Sequence, residues 1–217
     1  QIEELRGLKA WGIPLIAISR MYPWCVKHGM IPDFVTSLDC SLEQEPGFAD
    51  IQAQTIHLFA SVTRPEVIDA VLAKGAKAYL FDSRDDRKIK ALRREAGYQV
   101  ATVVNGGGTV VVLSISLALT LGFQNLHIFG FDCMMPSAEN HHAAEIAGPS
   151  VPQKLIEITV NEENVITTPS FIEFAGQTLD LLSVAHDEGL LESVKIYGES
   201  LISKMWPDMA WHDEVDT

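Results

Sequence analysis

Two aspartates close apolar runs of similar form, and an acid in that position suits a ribose hydroxyl or a divalent cation. Asp39 ends Phe34-Val-Thr-Ser-Leu-Asp39, and Asp132 ends Leu126-His-Ile-Phe-Gly-Phe-Asp132; a cysteine follows each. An aspartate there could equally cap the next turn or helix, because its short carboxylate reaches nearby backbone N–H groups. Asn105, Gly106, Gly107, Gly108 and Thr109 form a glycine turn ahead of an apolar segment. Glycine lets backbone approach a ligand closely, and a helix starting near Thr109 would offer N–H groups and the positive end of its dipole to a phosphate. The pattern is neither a dinucleotide fingerprint nor a Walker loop, which needs a lysine after its last glycine, and a tight turn without ligand is the alternative. His141 and His142 lie in a polar stretch with Glu139, Asn140 and Glu145. An imidazole there could act as general acid or base, or be a solvated loop histidine.

The elements that must position these groups follow from periodicity. Ile2, Leu5, Leu8 and Trp11 recur at helical spacing and predict an opening amphipathic helix ended by Gly12. Pro14 to Ser19 reads as a strand buried on both faces, and Met21 to His28 as a short helix. Strands are expected at 34–39, 55–60, 78–81 and 99–104, with helices at 65–74 and 85–96 between the later ones. Such alternation is the mark of a parallel sheet with crossover helices. A buried helix follows from Thr109 to Leu121, then a strand to Asp132, and a long polar loop from Cys133 to Gln153 of the kind that closes over substrates. Residues 155–160 and 165–168 predict a β-hairpin around Asn161 to Asn164. A long helix from Ser170 to Glu188, a strand at 194–197 and a helix at 199–206 complete the pattern. The fold class expected is therefore α/β, a Rossmann-like, mostly parallel sheet with helices on both faces, plus a hairpin and a long helix near the C-terminus.

The chain has 217 residues, 47% of them hydrophobic and 21% charged, which predicts a packed interior. One domain over residues 1–206 is expected, with 207–217 as a mobile acidic tail. The formal net charge of -13 sets a repulsive field against a nucleic-acid backbone, so no nucleic acid is expected as partner. The densest basic stretch, Arg84 to Arg94, is interleaved with acids that include Asp82, Asp85, Asp86 and Glu95, and reads as the solvated face of a helix. Three widely spaced cysteines argue against a disulfide framework and for a reducing, cytoplasmic setting. The longest apolar stretch, 109–121, is too short to span a bilayer, so no membrane association is expected. An oligomer is compatible with everything above.

With these strings in place, the sequence resembles a family. Gly29-Met-Ile-Pro-Asp33-Phe-Val-Thr-Ser-Leu-Asp39, Gly107-Gly-Thr-Val110, Leu121-Gly-Phe-Gln-Asn-Leu-His-Ile-Phe-Gly-Phe-Asp132, Val165-Ile-Thr-Thr168 and Val194-Lys-Ile-Tyr-Gly198 occur in the order and spacing of a particular domain. That domain is shared by archaeal 6-hydroxymethyl-dihydropterin diphosphokinases and the motility-associated (Maf) flagellin glycosyltransferases. The resemblance runs from about residue 2 to residue 202. It implies a Rossmann-like domain, similar in architecture to bacterial sialyltransferases, that binds a nucleotide-activated donor and transfers a diphosphate or a sugar. It also implies roles near Asp39, Gly107 and Asp132, and a loop histidine at His141 or His142. Family members begin with a strand ending in a Gly-Pro-Ser turn, which is expected to lie before Gln1; Gly148-Pro149-Ser150 repeats the letters without a preceding strand.

The reading is thus a nucleotide-dependent transferase, with diphosphate transfer from a nucleoside triphosphate to a small hydroxymethyl, pterin-like acceptor as its leading form. Asp39 and Asp132 would hold magnesium or substrate hydroxyls, and residues 105–109 would cradle phosphate. Glycosyl transfer from a CMP-activated sugar, with His141 or His142 as base, is the first alternative. A non-catalytic module binding a nucleotide or a protein partner is the second. The carboxyl ends of the strands are expected to gather both acids and the glycine turn at one cleft.

Overall fold

The computed structural model describes residues 1–38, 50–83, 88, 91, 94–95, 97, 102–104, 107–135 and 154–206. In chain order the elements are α1 (Ile2–Ala10), β1 (Ile16–Ile18), α2 (Tyr22–Lys27), β2 (Phe34–Ser37), β3 (Ile56–Ala60), α3 (Pro65–Ala73), β4 (Lys77–Phe81) and α4 (Val110–Thr120). They continue with β5 (Asn125–Phe129), β6 (Ile156–Val160), β7 (Glu163–Thr167), α5 (Pro169–Asp187), β8 (Ser193–Tyr197) and α6 (Leu201–Met205). The chain forms two compact units, Lys9–Leu117 and a second made of Gln1–Leu8 with Ala118–Thr217.

In the Lys9–Leu117 unit, β1 to β4 lie side by side in chain order, every pair parallel. A parallel neighbour needs a crossover, and α2 and α3 supply two of them. Because side chains alternate along a strand, β3 feeds two cores. Phe59 joins Ala17, Val35, Tyr22 and Cys25 of α2, and Val67 and Val71 of α3 on one face. Leu58 and Ala60 join Phe81, Val104, and Leu113 and Leu117 of α4 on the other. α4 carries no acid in its first turn and no base in its last, as suits a helix buried on most sides. Beyond β4 the sheet gains one more parallel contact, Asp82 to Val103. Residues 99–101 of the strand expected at 99–104 lie outside the described residues. So does most of the helix expected at 85–96, of which Lys88, Ala91, Arg94 and Glu95 are helical and exposed.

In the other unit β5 pairs in parallel with β8, and β6 pairs antiparallel with β7. The hairpin turn is tighter than its sequence suggests. Asn161 and Glu162 alone make it, both with left-handed backbone (φ 50° and 67°), while Glu163 and Asn164 already belong to β7. Two-residue turns of this hand match the twist of the strands they join. Thr168 caps the 19-residue α5 by accepting a hydrogen bond from the Phe171 amide at 3.1 Å, and Pro169 fills its first position. α5 packs on α6. Among the described residues no helix is long and apolar enough to cross a membrane.

Candidate functional site

The carboxyl edge of the four-stranded sheet carries an acid that the pattern of charges misplaces. Asp82 follows β4 directly and is only 4% exposed, so it is no part of a solvated helical face. Ser61, directly after β3, donates its hydroxyl to Asp82 Oδ1 at 2.5 Å, and its amide donates to the Phe81 carbonyl at 2.8 Å. The Asp82 amide donates to the Thr102 carbonyl at 2.9 Å, and the Val104 amide donates to the Asp82 carbonyl at 2.8 Å. One residue therefore ties the end of β3 to the segment that leads into the glycine turn. The signal was present in the sequence: Ala78-Tyr-Leu-Phe81 is a further apolar run closed by aspartate, but the charges after it disguised it. Thr63, two residues past Ser61, is also buried, and its hydroxyl has no hydrogen-bond partner among the described residues. Such a hydroxyl asks for a water or a ligand group.

The glycine turn opens α4 as its composition predicts. Gly107 has a left-handed backbone (φ 52°), where a side chain would be strained. It stands three positions after Val104, so it lies within about 11 Å of that paired segment. Thr109 caps the helix: its Oγ1 accepts from the Val111 amide at 3.2 Å and its carbonyl from the Leu113 amide at 3.1 Å. Ser114 fixes the first turn to the sheet. Its hydroxyl donates to the Val110 carbonyl at 2.7 Å, which leaves it to accept from Thr36 of β2 at 2.5 Å. The start of α3 differs in kind. Glu66 turns its carboxylate back onto its own amide, which with Arg64 holds that carboxyl below its usual range. α3 thus carries its own anion at its positive end, whereas α4 begins with glycine and a neutral threonine.

Asp132 belongs to the other unit, three residues beyond the end of β5. It is half-buried, and among the described residues its carboxylate has no hydrogen-bond or ion-pair partner. Burial alone raises its pKa above the usual carboxylate range. The neighbouring Cys133 thiol is pushed up to about 12, by burial first and then by the Asp132 charge, so it is no ready nucleophile. The Asp132 carbonyl accepts from the Leu201 amide at 2.7 Å. Along the same ladder His127 Nδ1 lies 2.8 Å from the Tyr197 hydroxyl, and burial with the nearby Lys195 charge lowers the His127 pKa. Asp33 is structural, accepting the Leu15 amide at 2.7 Å and the Lys9 ammonium on one oxygen.

Asp39, Asn105, Gly106, His141 and His142 lie outside the described residues. Gly107, Gly108 and Thr109 share the Lys9–Leu117 unit with Ser61, Thr63 and Asp82, and Asp132 is in the second unit. No cluster of three metal-ligating side chains occurs among the described residues.

Residues 1–137, more than half of the chain, match the family described as 6-hydroxymethylpterin diphosphokinase MptE-like. The chain belongs to this MptE-like family. Its fold is also that of a solved Maf glycosyltransferase from Magnetospirillum magneticum AMB-1, at a TM-score of 0.64 and 15% sequence identity. That likeness covers 92% of this chain but 30% of the glycosyltransferase, so the MptE-like chain spans under a third of that relative. No curated protein matches the chain in sequence. The family bears a transferase name and supports that class, while the likeness to the glycosyltransferase shows the fold. The family match takes in the glycine turn, Asp82 and Asp132 and ends before the hairpin and α5.

Proposed function

We propose that this domain takes part in diphosphate transfer from a nucleoside triphosphate to a small hydroxymethyl acceptor of the pterin class. The observation that carries the proposal is the start of α4, a left-handed glycine and a neutral threonine cap leading from the segment that Asp82 holds. Backbone of this kind accommodates a phosphate without the carboxylate that fills the start of α3. A nucleotide's phosphates would lie against residues 107–109, with Asn105 and Gly106 as the remaining members of the turn.

Magnesium fits this reading in a limited sense. It is commonly held by one or two carboxylates and by the substrate's own phosphates, so a three-residue cluster is not required. Asp39 is proposed as such a ligand, and the carboxylate of Asp132, which has no partner among the described residues, is proposed for a substrate hydroxyl. When bound, the cation would neutralise phosphate charge. The acceptor's hydroxyl oxygen attacks the β-phosphorus, and the bond from that phosphorus to the oxygen bridging the α-phosphorus breaks. AMP leaves, and the acceptor proton passes to a carboxylate, for which Asp132 is put forward.

Calorimetric titration with ATP, CTP and a CMP-activated sugar, with and without magnesium, tests the binding half of this proposal. We expect a triphosphate to bind with magnesium present, and Gly107→Val to weaken that binding on the order of tenfold, because a β-branched residue resists left-handed backbone by about 1–2 kcal/mol. Absence of binding by every nucleotide would end the proposal. A second reading, glycosyl transfer from a CMP-activated sugar, is favoured by the fold neighbour. It calls for metal-independent turnover that is lost when His141 or His142 is replaced by alanine.

A further inference from the structure

The backbone that carries Asp132 is unusual in its conformation and in how it is held. Cys133 has a left-handed backbone (φ 51°), a region that residues with a Cβ rarely adopt unless neighbours impose it. Three hydrogen bonds from distant parts of the chain do so. The Leu201 amide at the start of α6 donates to the Asp132 carbonyl at 2.7 Å, and the Met135 amide donates to the Ile166 carbonyl of β7 at 2.8 Å. Between them, the Thr167 hydroxyl donates to the carbonyl of Cys133 itself at 2.7 Å. Thr167 is fully buried and Cys133 is 5% exposed, so water does not compete for that bond. Of the three contacts this is the one made by a side chain, and the one centred on the strained residue.

We propose that Thr167 is a positioning residue for Asp132: its hydroxyl holds Cys133 in the left-handed conformation and so fixes where the Asp132 carboxylate points. The assignment rests on the reading of Asp132 as an acid of the transfer reaction. Holding matters here because the carboxylate has no partner of its own among the described residues. Its aim is set by the backbone, and the backbone by Thr167. Valine has nearly the shape of threonine but no hydroxyl, whereas serine keeps the hydroxyl and drops a methyl group. The pair separates the hydrogen bond from the packing.

The test compares wild type, Thr167→Val and Thr167→Ser on the whole chain by two readouts. The first is NMR: the amide-to-α-proton coupling and carbon shifts of Cys133, which report its φ, and the exchange protection of the Leu201 amide. The second is steady-state turnover of ATP with 6-hydroxymethylpterin and magnesium. Thr167→Val is expected to lose the left-handed signature and to lower kcat ten- to a hundredfold with little change in the KM for ATP, and Thr167→Ser to restore both. Should Thr167→Val keep the Cys133 conformation and the Leu201 protection, the positioning role is overturned, whatever the wild type does. Should the conformation change while kcat holds, Thr167 shapes the turn without serving the reaction, and the proposal also fails. A wild type that turns over no substrate, in a protein whose Thr167→Val variant still loses the left-handed turn, removes the proposed reaction and leaves the control of Asp132 geometry by Thr167 standing.

Discussion

At the scale of single residues, two described aspartates each close an apolar run and a third precedes one, and their surroundings separate them. Asp82 is buried and bonded into the sheet edge, Asp132 is half-buried with no partner among the described residues, and Asp33 pairs with Lys9. Sequence alone made Asp132 visible because the run before it is clean. It hid Asp82 because a basic and acidic stretch begins two residues later, and composition averages over a window that burial divides sharply. His57 is a second residue whose place could not be read ahead. It sits in β3 with its ring 5.8 Å from Phe59 and 5.5 Å from Tyr22, in the core on the α2 and α3 side, and burial pushes its pKa down from 6.5 to about 4. The unfolded chain therefore takes up this proton near pH 6.5, while the folded chain resists until about pH 4. Stability from this group is complete above pH 6.5 and is lost progressively as pH falls towards 4, by roughly 3 kcal/mol in all. Urea titrations across that range should show the fall in wild type and a shallower one in His57→Leu; equal slopes would remove His57 as the cause.

At the scale of elements, every described strand and helix arises where periodicity predicts one, with ends shifted by at most three residues. Runs such as Ile56 to Ala60 are legible because a strand buried on both faces needs apolar residues without a break. The ends are less legible, because tertiary hydrogen bonds decide them. Asp132 stands clear of β5 for that reason, its carbonyl being taken by α6 rather than by a neighbouring strand. The hairpin shows the same effect, since two left-handed residues suffice where four polar ones invited a longer turn. α4 is the element on which the proposed phosphate site depends. Leu113, fully buried between α4 and the sheet, is the residue that tests its anchorage. Leu113→Ala should destabilise the chain by about 2–5 kcal/mol, measured as the shift in denaturant midpoint at constant slope. A loss under about 1 kcal/mol would mean that α4 is held mainly by other contacts, such as the Thr36 to Ser114 hydroxyl bridge.

At the scale of the whole molecule, a formal net charge of -13 works against a polyphosphate ligand as it does against nucleic acid. In the proposed reaction a nucleotide would therefore have to be held by local features, such as backbone amides, a helix start and a cation shared with its phosphates. This is why the glycine turn and its paired segment carry more of the argument than any basic residue. The resemblance seen from a few strings of sequence is matched by the family and by the fold, although the chain spans 30% of the solved glycosyltransferase. The decisive measurement is product analysis by phosphorus NMR and chromatography after incubating the chain with ATP, magnesium and 6-hydroxymethylpterin. Diphosphate transfer predicts AMP and a pterin diphosphate in equal amounts, both abolished by Asp132→Asn. ADP as the nucleotide product, or an acceptor left unmodified while the chain binds ATP, would contradict it.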